Sequence, residues 1–323
     1  MRARHPDFEA HVDHDGVRIH YEVYGSGEPT VVFLPAWAII HSRMWKSQIP
    51  YFAHHFRVVT FDPRGNGKSD RPLDPGAYAD TEHVQDALAV MDATHTTRAV
   101  LVGFSLGAWH AALLAAQHPD RVLGAVLAGP ASPLGRLLPE QTIHSFADRL
   151  QTEEGWAKFN RHYWRKDYRG FLEFFMSRMF TEPHSSKPID DAVEWGLETT
   201  PEVLTATRQA PGLMARLREH PDEARALYRS IRCPLLIIHG TDDAIISWSR
   251  SAAIAEVTGA PLVMIAGGGH HVFGRDPVKA NLLLKAFIDR IVTPSQVFQE
   301  RQGARGECKH EDGARGSSGT GRR

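Results

Sequence analysis

The sequence predicts an α/β fold in which a mostly parallel sheet is covered by helices on both faces. Three observations carry that expectation. Short apolar runs rich in Val, Ile and Leu recur along the chain, helical patterns alternate with them, and the alternation is broken once, by a long helical block. Residues 17–24 alternate apolar and polar as a strand, and Gly25-Ser26-Gly27 turns the chain. Residues 30–34 are apolar almost throughout, the signature of a strand buried on both faces. Further buried strands are expected at 57–61, 99–103, 122–127, 235–239 and 262–265, each followed by Gly, Pro or Asp. Helical patterns fall between them at 45–52, 81–91, 106–117 (stopped by Pro119), 249–257 and 278–291.

From 134 to 230 the strand signals vanish, and the helical pattern is interrupted by Pro183, Pro188, Pro201 and Pro211. Ten of the forty positions in 156–195 are aromatic, against 9% for the whole chain, so this block holds either a small helical core of its own or a lid over a site. The last stretch, from 294 and above all 299–323, is rich in Gly, Arg, Ser and Glu. It has too little apolar surface to offset the entropy of ordering, which predicts disorder. The expected organisation is a core formed by 1–133 and 231–293, a helical cap at 134–230 and a disordered tail at 294–323.

Composition narrows the function classes. A chain of 323 residues, 42% of them hydrophobic, suits one large domain or one domain with an insertion. Its formal net charge of −1 provides no field to attract nucleic acid or an anionic membrane, so a small-molecule substrate is expected, with the protein a monomer or homodimer. Cys233 and Cys308 are far apart and form neither a disulfide framework nor a metal spacing. No signal-like apolar segment opens the chain and no run of 18 apolar residues occurs, which predicts a cytoplasmic protein. The histidines at 11, 14, 20, 54 and 55 lack the spacing of a zinc site on one helix face, and no metal or other cofactor is expected. Gly65-x-Gly67 lacks the further residues of a nucleotide-binding loop and reads as a structural turn, with Arg64 paired to a carboxylate.

The chemistry centres on Gly103-Phe104-Ser105-Leu106-Gly107. This Gly-x-Ser-x-Gly follows an apolar strand and precedes an Ala-rich helix, the context a nucleophile elbow requires. The glycines are needed because the sharp turn brings backbone against backbone on either side of the serine, where a Cβ would clash. The following helix aims free N–H groups and its positive dipole end at an oxygen gaining charge. A serine hydroxyl needs a base, and Gly267-Gly268-Gly269-His270-His271 closes the last strand in the place the elbow's chain order of Ser, acid, His demands. His270 directly follows the glycines and is preferred over His271. Strand 235–239 ends His239-Gly240-Thr241-Asp242-Asp243, so two adjacent acids compete to orient the histidine. Leu127-Ala128-Gly129-Pro130, a rival place for the acid, is empty of carboxylates.

Over roughly residues 12–292 the chain resembles the α/β-hydrolase superfamily. The elbow Gly-Phe-Ser-Leu-Gly, the stretch Phe61-Asp62-Pro63-Arg64-Gly65-Asn66-Gly67-Lys68-Ser69-Asp70-Arg71-Pro72, the His-Gly-Thr-Asp-Asp block and the closing Gly-His are each similar to family motifs. The resemblance implies an eight-stranded sheet with a helical cap inserted after strand six. It carries the acid over to Asp243 and the base to His270. Where the family commonly has His-Gly after its third strand, this chain has Leu34-Pro35-Ala36-Trp37. By position, the two oxyanion donors implied are the backbone N–H groups of Trp37 and Leu106.

With Ser rather than Asp or Cys as nucleophile, the resemblance points away from dehalogenase, epoxide-hydrolase and dienelactone chemistry. The expected function is hydrolysis of a small to medium-sized apolar ester or related acyl substrate through an acyl-enzyme. Lactone and carbon–carbon bond hydrolysis are the alternatives. Two other classes remain: the same triad in a lyase or cofactor-free perhydrolase, and a triad-bearing ligand receptor. Expected substrate contacts are His41, Phe104, Trp164 and Phe175, under a roof that also draws on Trp156, Phe159, Phe174 and Trp195.

Overall fold

In the computed structural model, which describes residues 4–307 and their side chains as far as 292, eight strands form one sheet. They are β1 (Phe8–His14), β2 (Val17–Tyr24), β3 (Thr30–Phe33), β4 (Arg57–Phe61), β5 (Ala99–Phe104), β6 (Val122–Ala128), β7 (Leu235–Gly240) and β8 (Leu262–Ile265). The sheet order is β1-β2-β4-β3-β5-β6-β7-β8. β1 and β2 pair antiparallel, as do β2 and β4; every other pairing is parallel. The central strands β3, β5, β6 and β7 are buried along nearly their whole length, as their unbroken Val, Leu and Ile runs require.

Sequence reading located seven of these strands and missed β1. Its residues Phe-Glu-Ala-His-Val-Asp-His are exposed on one face and only half-buried on the other, because β1 is an edge strand. A polar edge carries no buried-strand signal and resists pairing with another chain.

The helices outside the 134–230 block are α1 (Ile49–Phe52), α2 (Asp80–Ala93) and α3 (Leu106–Gln117). After that block, whose helices α4 to α9 are given below, come α10 (Trp248–Thr258), α11 (Val272–Arg275) and α12 (Pro277–Glu307). The helix expected at 45–52 is instead a 3-10 turn at Ser42–Trp45 followed by α1, since Pro50 lacks an N–H and is accommodated only in a helix's first turn. α12 carries helical backbone through 294–307, where disorder was expected. Gln299-Glu300-Arg301-Gln302 is a run of good helix formers, and propensity is a local property that composition alone does not weigh. Residues 308–323 of the expected tail lie outside the described residues.

Between β6 and β7 the chain makes α4 (Arg161–Lys166), α5 (Tyr168–Met179), α6 (Ser186–Gly196), α7 (Pro201–Gln209), α8 (Leu213–Glu219) and α9 (Pro221–Arg229), with no strand among them. Their apolar faces are continuous with the sheet's core, because Trp164, Phe171 and Leu172 belong to the same buried cluster as the residues of β3 and β5. Trp37, in the loop after β3, joins the two layers: its ring lies 5.6 Å from Phe175 and 6.0 Å from both Phe159 and Trp164, and its indole N–H donates to Thr207 Oγ1 at 2.7 Å.

The loop after β4 is a structural turn. Asp62 accepts from the Ser42 N–H (3.1 Å), the Ser42 hydroxyl (2.5 Å) and the Lys68 N–H (2.8 Å). Arg64 holds Asp86 with two bonds, Nε to Oδ2 at 2.7 Å and Nη2 to Oδ1 at 2.6 Å, both side chains being buried. Breaking such a pair from one side would leave an uncompensated buried charge. No helix among the described residues is long and apolar enough to cross a membrane.

Candidate active site

Ser105 sits between the end of β5 and the start of α3 at φ +56°, a left-handed conformation that a non-glycine residue adopts only when its surroundings impose it. The surroundings are the two glycines. A Cβ on Gly103 would lie 2.3 Å from the Gly107 carbonyl oxygen, and one on Gly107 would lie 2.3 Å from the Pro35 carbonyl oxygen. The second contact also brings the loop carrying Trp37 against the first turn of α3. Among the described residues the backbone N–H groups of Trp37 and Leu106 have no backbone acceptor. Both residues line the same cavity as Ser105.

The members of the two adjacent pairs have different surroundings. His270 Nδ1 is 2.7 Å from Asp243 Oδ2, with both side chains buried. His271 is also buried, but among the described residues neither ring nitrogen has a hydrogen-bond partner; it packs against Phe104 and Phe180, and burial pushes its pKa down to about 3. Asp242 is exposed and accepts from the Thr241 hydroxyl at 2.8 Å. Asp243 faces inward. Its Oδ1 accepts from the N–H groups of Ile245 and Ile246, each at 2.8 Å, and its Oδ2 takes His270 and, at 3.1 Å, His239 Nε2. Burial raises the Asp243 pKa, but the charge of His270 and the hydrogen bonds from His239 and His270 outweigh it, leaving the carboxyl well below the usual range.

The turn after β6 ties the serine to the histidine. The Ser105 N–H donates to Ala128 O (2.9 Å) and the Ala131 N–H donates to Ser105 O (3.0 Å), while a Cβ on Gly129 would lie 3.2 Å from the His270 ring. The acid-free end of β6 is therefore the surface on which His270 rests.

A cavity of ≈ 550 Å³ adjoins Ser105, walled on one side by the 134–230 segment and on the other by the carboxyl ends of the strands. Trp156, Phe159 and Phe175, with Trp37, Tyr78 and Phe146, form the aromatic part of its wall, and Arg208, Arg218 and Arg250 a cationic part.

A family model described as the alpha/beta hydrolase fold matches residues 29–277. The chain belongs to the α/β hydrolase fold family. A non-heme haloperoxidase of Rhodococcus erythropolis is 28% identical over 83% of this chain and 96% of its own. The bifunctional esterase/perhydrolase DCH of Acinetobacter calcoaceticus is 28% identical over 85% of this chain and 97% of its own. Among solved structures, Est816, described as an N-acyl homoserine lactone degrading enzyme, is 28% identical with a TM-score of 0.70, covering 86% of this chain and 100% of that one. The hydrolase and esterase names among such relatives support an enzyme with hydrolase activity.

Within this α/β hydrolase, several expected substrate contacts lie elsewhere. Phe175 lines the cavity, whereas Phe104, Trp164 and His41 do not. Phe104 is fully buried, with its ring 4.6 Å from that of His270, and Trp164 is fully buried against the rings of Phe146 and Phe171. His41 is buried with Nε2 3.4 Å from Glu198 and its ring against Trp195. Of the other roof candidates, Trp156 and Phe159 line the cavity, Phe174 lies under Arg178, and Trp195 packs beside His41 and Lys46.

Sequence reading overlooked the role of His239, whose ring is fixed by Ser251 Oγ (2.7 Å) and Ile246 O (3.0 Å), and the three arginines. The arginines are scattered over three helices and leave no sequence signal. Among the described residues, two groups of side chains bring three ligand atoms within 4.8 Å of one another: Glu9, His20 and Glu22, and His14, Asp15 and Glu82. Neither includes a residue of the cavity.

Proposed function

We propose that the protein is a serine hydrolase that cleaves a small to medium-sized ester or related acyl substrate through an acyl-enzyme. The observation that carries this reading is the buried Asp243–His270 pair at 2.7 Å, beside a serine held at positive φ on the wall of a substrate-sized cavity. Ser105 Oγ attacks the carbonyl carbon as His270 Nε2 takes its proton. Asp243, bonded to Nδ1, keeps that tautomer in place and stabilises the imidazolium. The N–H groups of Trp37 and Leu106, backed by the dipole of α3, receive the charge on the carbonyl oxygen. His270 then protonates the leaving alcohol, and a water activated by the same base releases the acid and restores the serine.

The aromatic wall of Trp156, Phe159 and Phe175 favours an apolar portion of the substrate. A second reading, lactone hydrolysis, is supported by the Est816 relative and uses the same steps with a leaving group that stays attached. Ser105→Ala should leave the fold and melting temperature intact and lower kcat by about 10⁶ on any substrate turned over. A variant that keeps more than a tenth of the activity refutes the nucleophile.

A further inference from the structure

The cavity beside Ser105 is more cationic than an apolar acyl substrate needs. Arg208 lies in the last turn of α7, Arg218 in α8 and Arg250 in the first turn of α10, and all three line it. Among the described residues none of the three has an ion pair with an Asp or Glu. Arg208 instead rests over the rings of Phe159 (5.3 Å) and Phe146 (5.9 Å), and Arg250 Nε donates to the Arg136 carbonyl at 3.3 Å. Arg208 and Arg218 stay open to solvent, whereas Arg250 is buried, and burial with the like charge of Arg218 brings its pKa down to about 10 against the opposing charge of Asp243. All three side chains reach the same cavity.

The acids close by are already committed. Asp80, the one carboxylate on the wall among the described residues, accepts from the Trp109 indole (2.9 Å) and the Met214 N–H (3.2 Å) and faces His110 at 3.4 Å. Asp243 has both oxygens filled by Ile245, Ile246, His270 and His239. Guanidinium groups brought to one wall with no direct ion pair to an Asp or Glu among the described residues favour an anion supplied from outside, and the planar fork of arginine matches a carboxylate.

We infer that the cavity recognises an anionic acyl substrate: an ester or lactone bearing a carboxylate away from the scissile bond, held by Arg208, Arg218 and Arg250 while its apolar part lies against Trp156, Phe159 and Phe175. The inference rests on the serine-hydrolase reading and names the substrate class of the same site. An apolar stem between carbonyl and carboxylate reconciles the aromatic wall with the cationic one.

The test compares p-nitrophenyl hydrogen adipate with p-nitrophenyl hexanoate, an acyl chain of the same length with a methyl end in place of the carboxylate. A second arm compares 4-carboxyphenyl butanoate with phenyl butanoate, so that a charge on the alcohol half is also sampled. In at least one arm the anionic ester should be preferred in kcat/KM by about 10- to 100-fold, the worth of a charge-assisted bond. That ratio should fall at least tenfold in both Arg208→Gln and Arg218→Gln; because it is a ratio within one protein, a loss of folded enzyme cancels. Adipate binding to the Ser105→Ala protein, followed by calorimetry, supplies a readout without turnover and should weaken in the same arginine variants.

Ser105-dependent hydrolysis with no anion preference in either arm, or with a preference the glutamine variants leave untouched, overturns the inference and leaves the esterase reading standing. Arginine-dependent adipate binding with no ester turned over supports the anion site and removes the esterase reading instead.

Discussion

Asp243 is the most heavily bonded side chain of the candidate site, with two backbone N–H groups on one oxygen and two histidines on the other. Asp243→Asn keeps that shape but turns one of those positions into a donor, so His270 should adopt the wrong tautomer and kcat should fall by about 10⁴. Asp242→Asn, at an exposed side chain bonded to Thr241, should change kcat by less than about tenfold. Steady-state kinetics on one ester separate the two, and reversed penalties would move the role to Asp242. The neighbouring histidine governs stability. His271 has a folded-state pKa near 3 against an ordinary value of 6.5, so the unfolded chain takes up this proton first. Its contribution is complete above about pH 6.5 and is lost as the pH falls from there toward 3. Between pH 6.5 and 4.5 the loss amounts to about 2 kcal/mol from this group. His271→Leu, of similar volume among Phe104 and Phe180, should remove that part of the pH dependence when unfolding is followed by denaturant at the two pH values. An unchanged difference would show that other groups carry it.

The strand-to-helix turn at Ser105 and the glycine loop before His270 are held by different means. The turn is locked by its own glycines, but the loop is clamped by the end of α5. Both His270 and His271 N–H groups donate to the Met179 carbonyl, at 3.0 and 3.3 Å, and the Gly269 N–H donates to Glu182 Oε1 at 2.8 Å. The Thr181 hydroxyl closes the clamp on Asp242 O at 3.0 Å. The 134–230 segment thus positions the histidine loop as well as covering the cavity. Glu182→Ala removes the acceptor for Gly269, and kcat should drop by up to about 10²-fold with little change in KM, the scale of a small misplacement of a reacting group. Glu182→Gln keeps a carbonyl oxygen there and should recover most of the rate. Equal losses in both variants would mean that the carboxylate charge matters rather than the hydrogen bond.

The molecule as a whole sandwiches a ≈ 550 Å³ cavity between the strand ends and an aromatic helical layer. Burial contributes about 0.8 kcal/mol per methylene, so each carbon added to a fitting acyl chain should raise kcat/KM by up to about fourfold. The rise should stop where the chain reaches the far wall, leaving long-chain triglycerides as poor substrates. A series of p-nitrophenyl esters from acetate upward reads this directly, and a flat or falling profile would discard the aromatic wall as an acyl site without touching the assignment of Ser105.

Local sterics and periodicity made much of this legible in the chain alone. Gly103 and Gly107 flank Ser105 because backbone approaches leave no room for a Cβ, and the apolar runs of β3, β5, β6 and β7 mark a sheet buried on both faces. Edge strand β1 escaped because its exposure removes the very pattern that betrays a strand. Which of two adjacent residues turns inward is not a local property. His270 rather than His271 meets an acid, and Asp243 rather than Asp242 meets a histidine, because β6, β7 and the end of α5 converge from distant parts of the chain. The same holds for the cavity: Trp164 and Phe104 are drawn into the core, while Arg208, Arg218 and Arg250, on three helices, are brought to one wall only by the packing of the helical layer over the sheet.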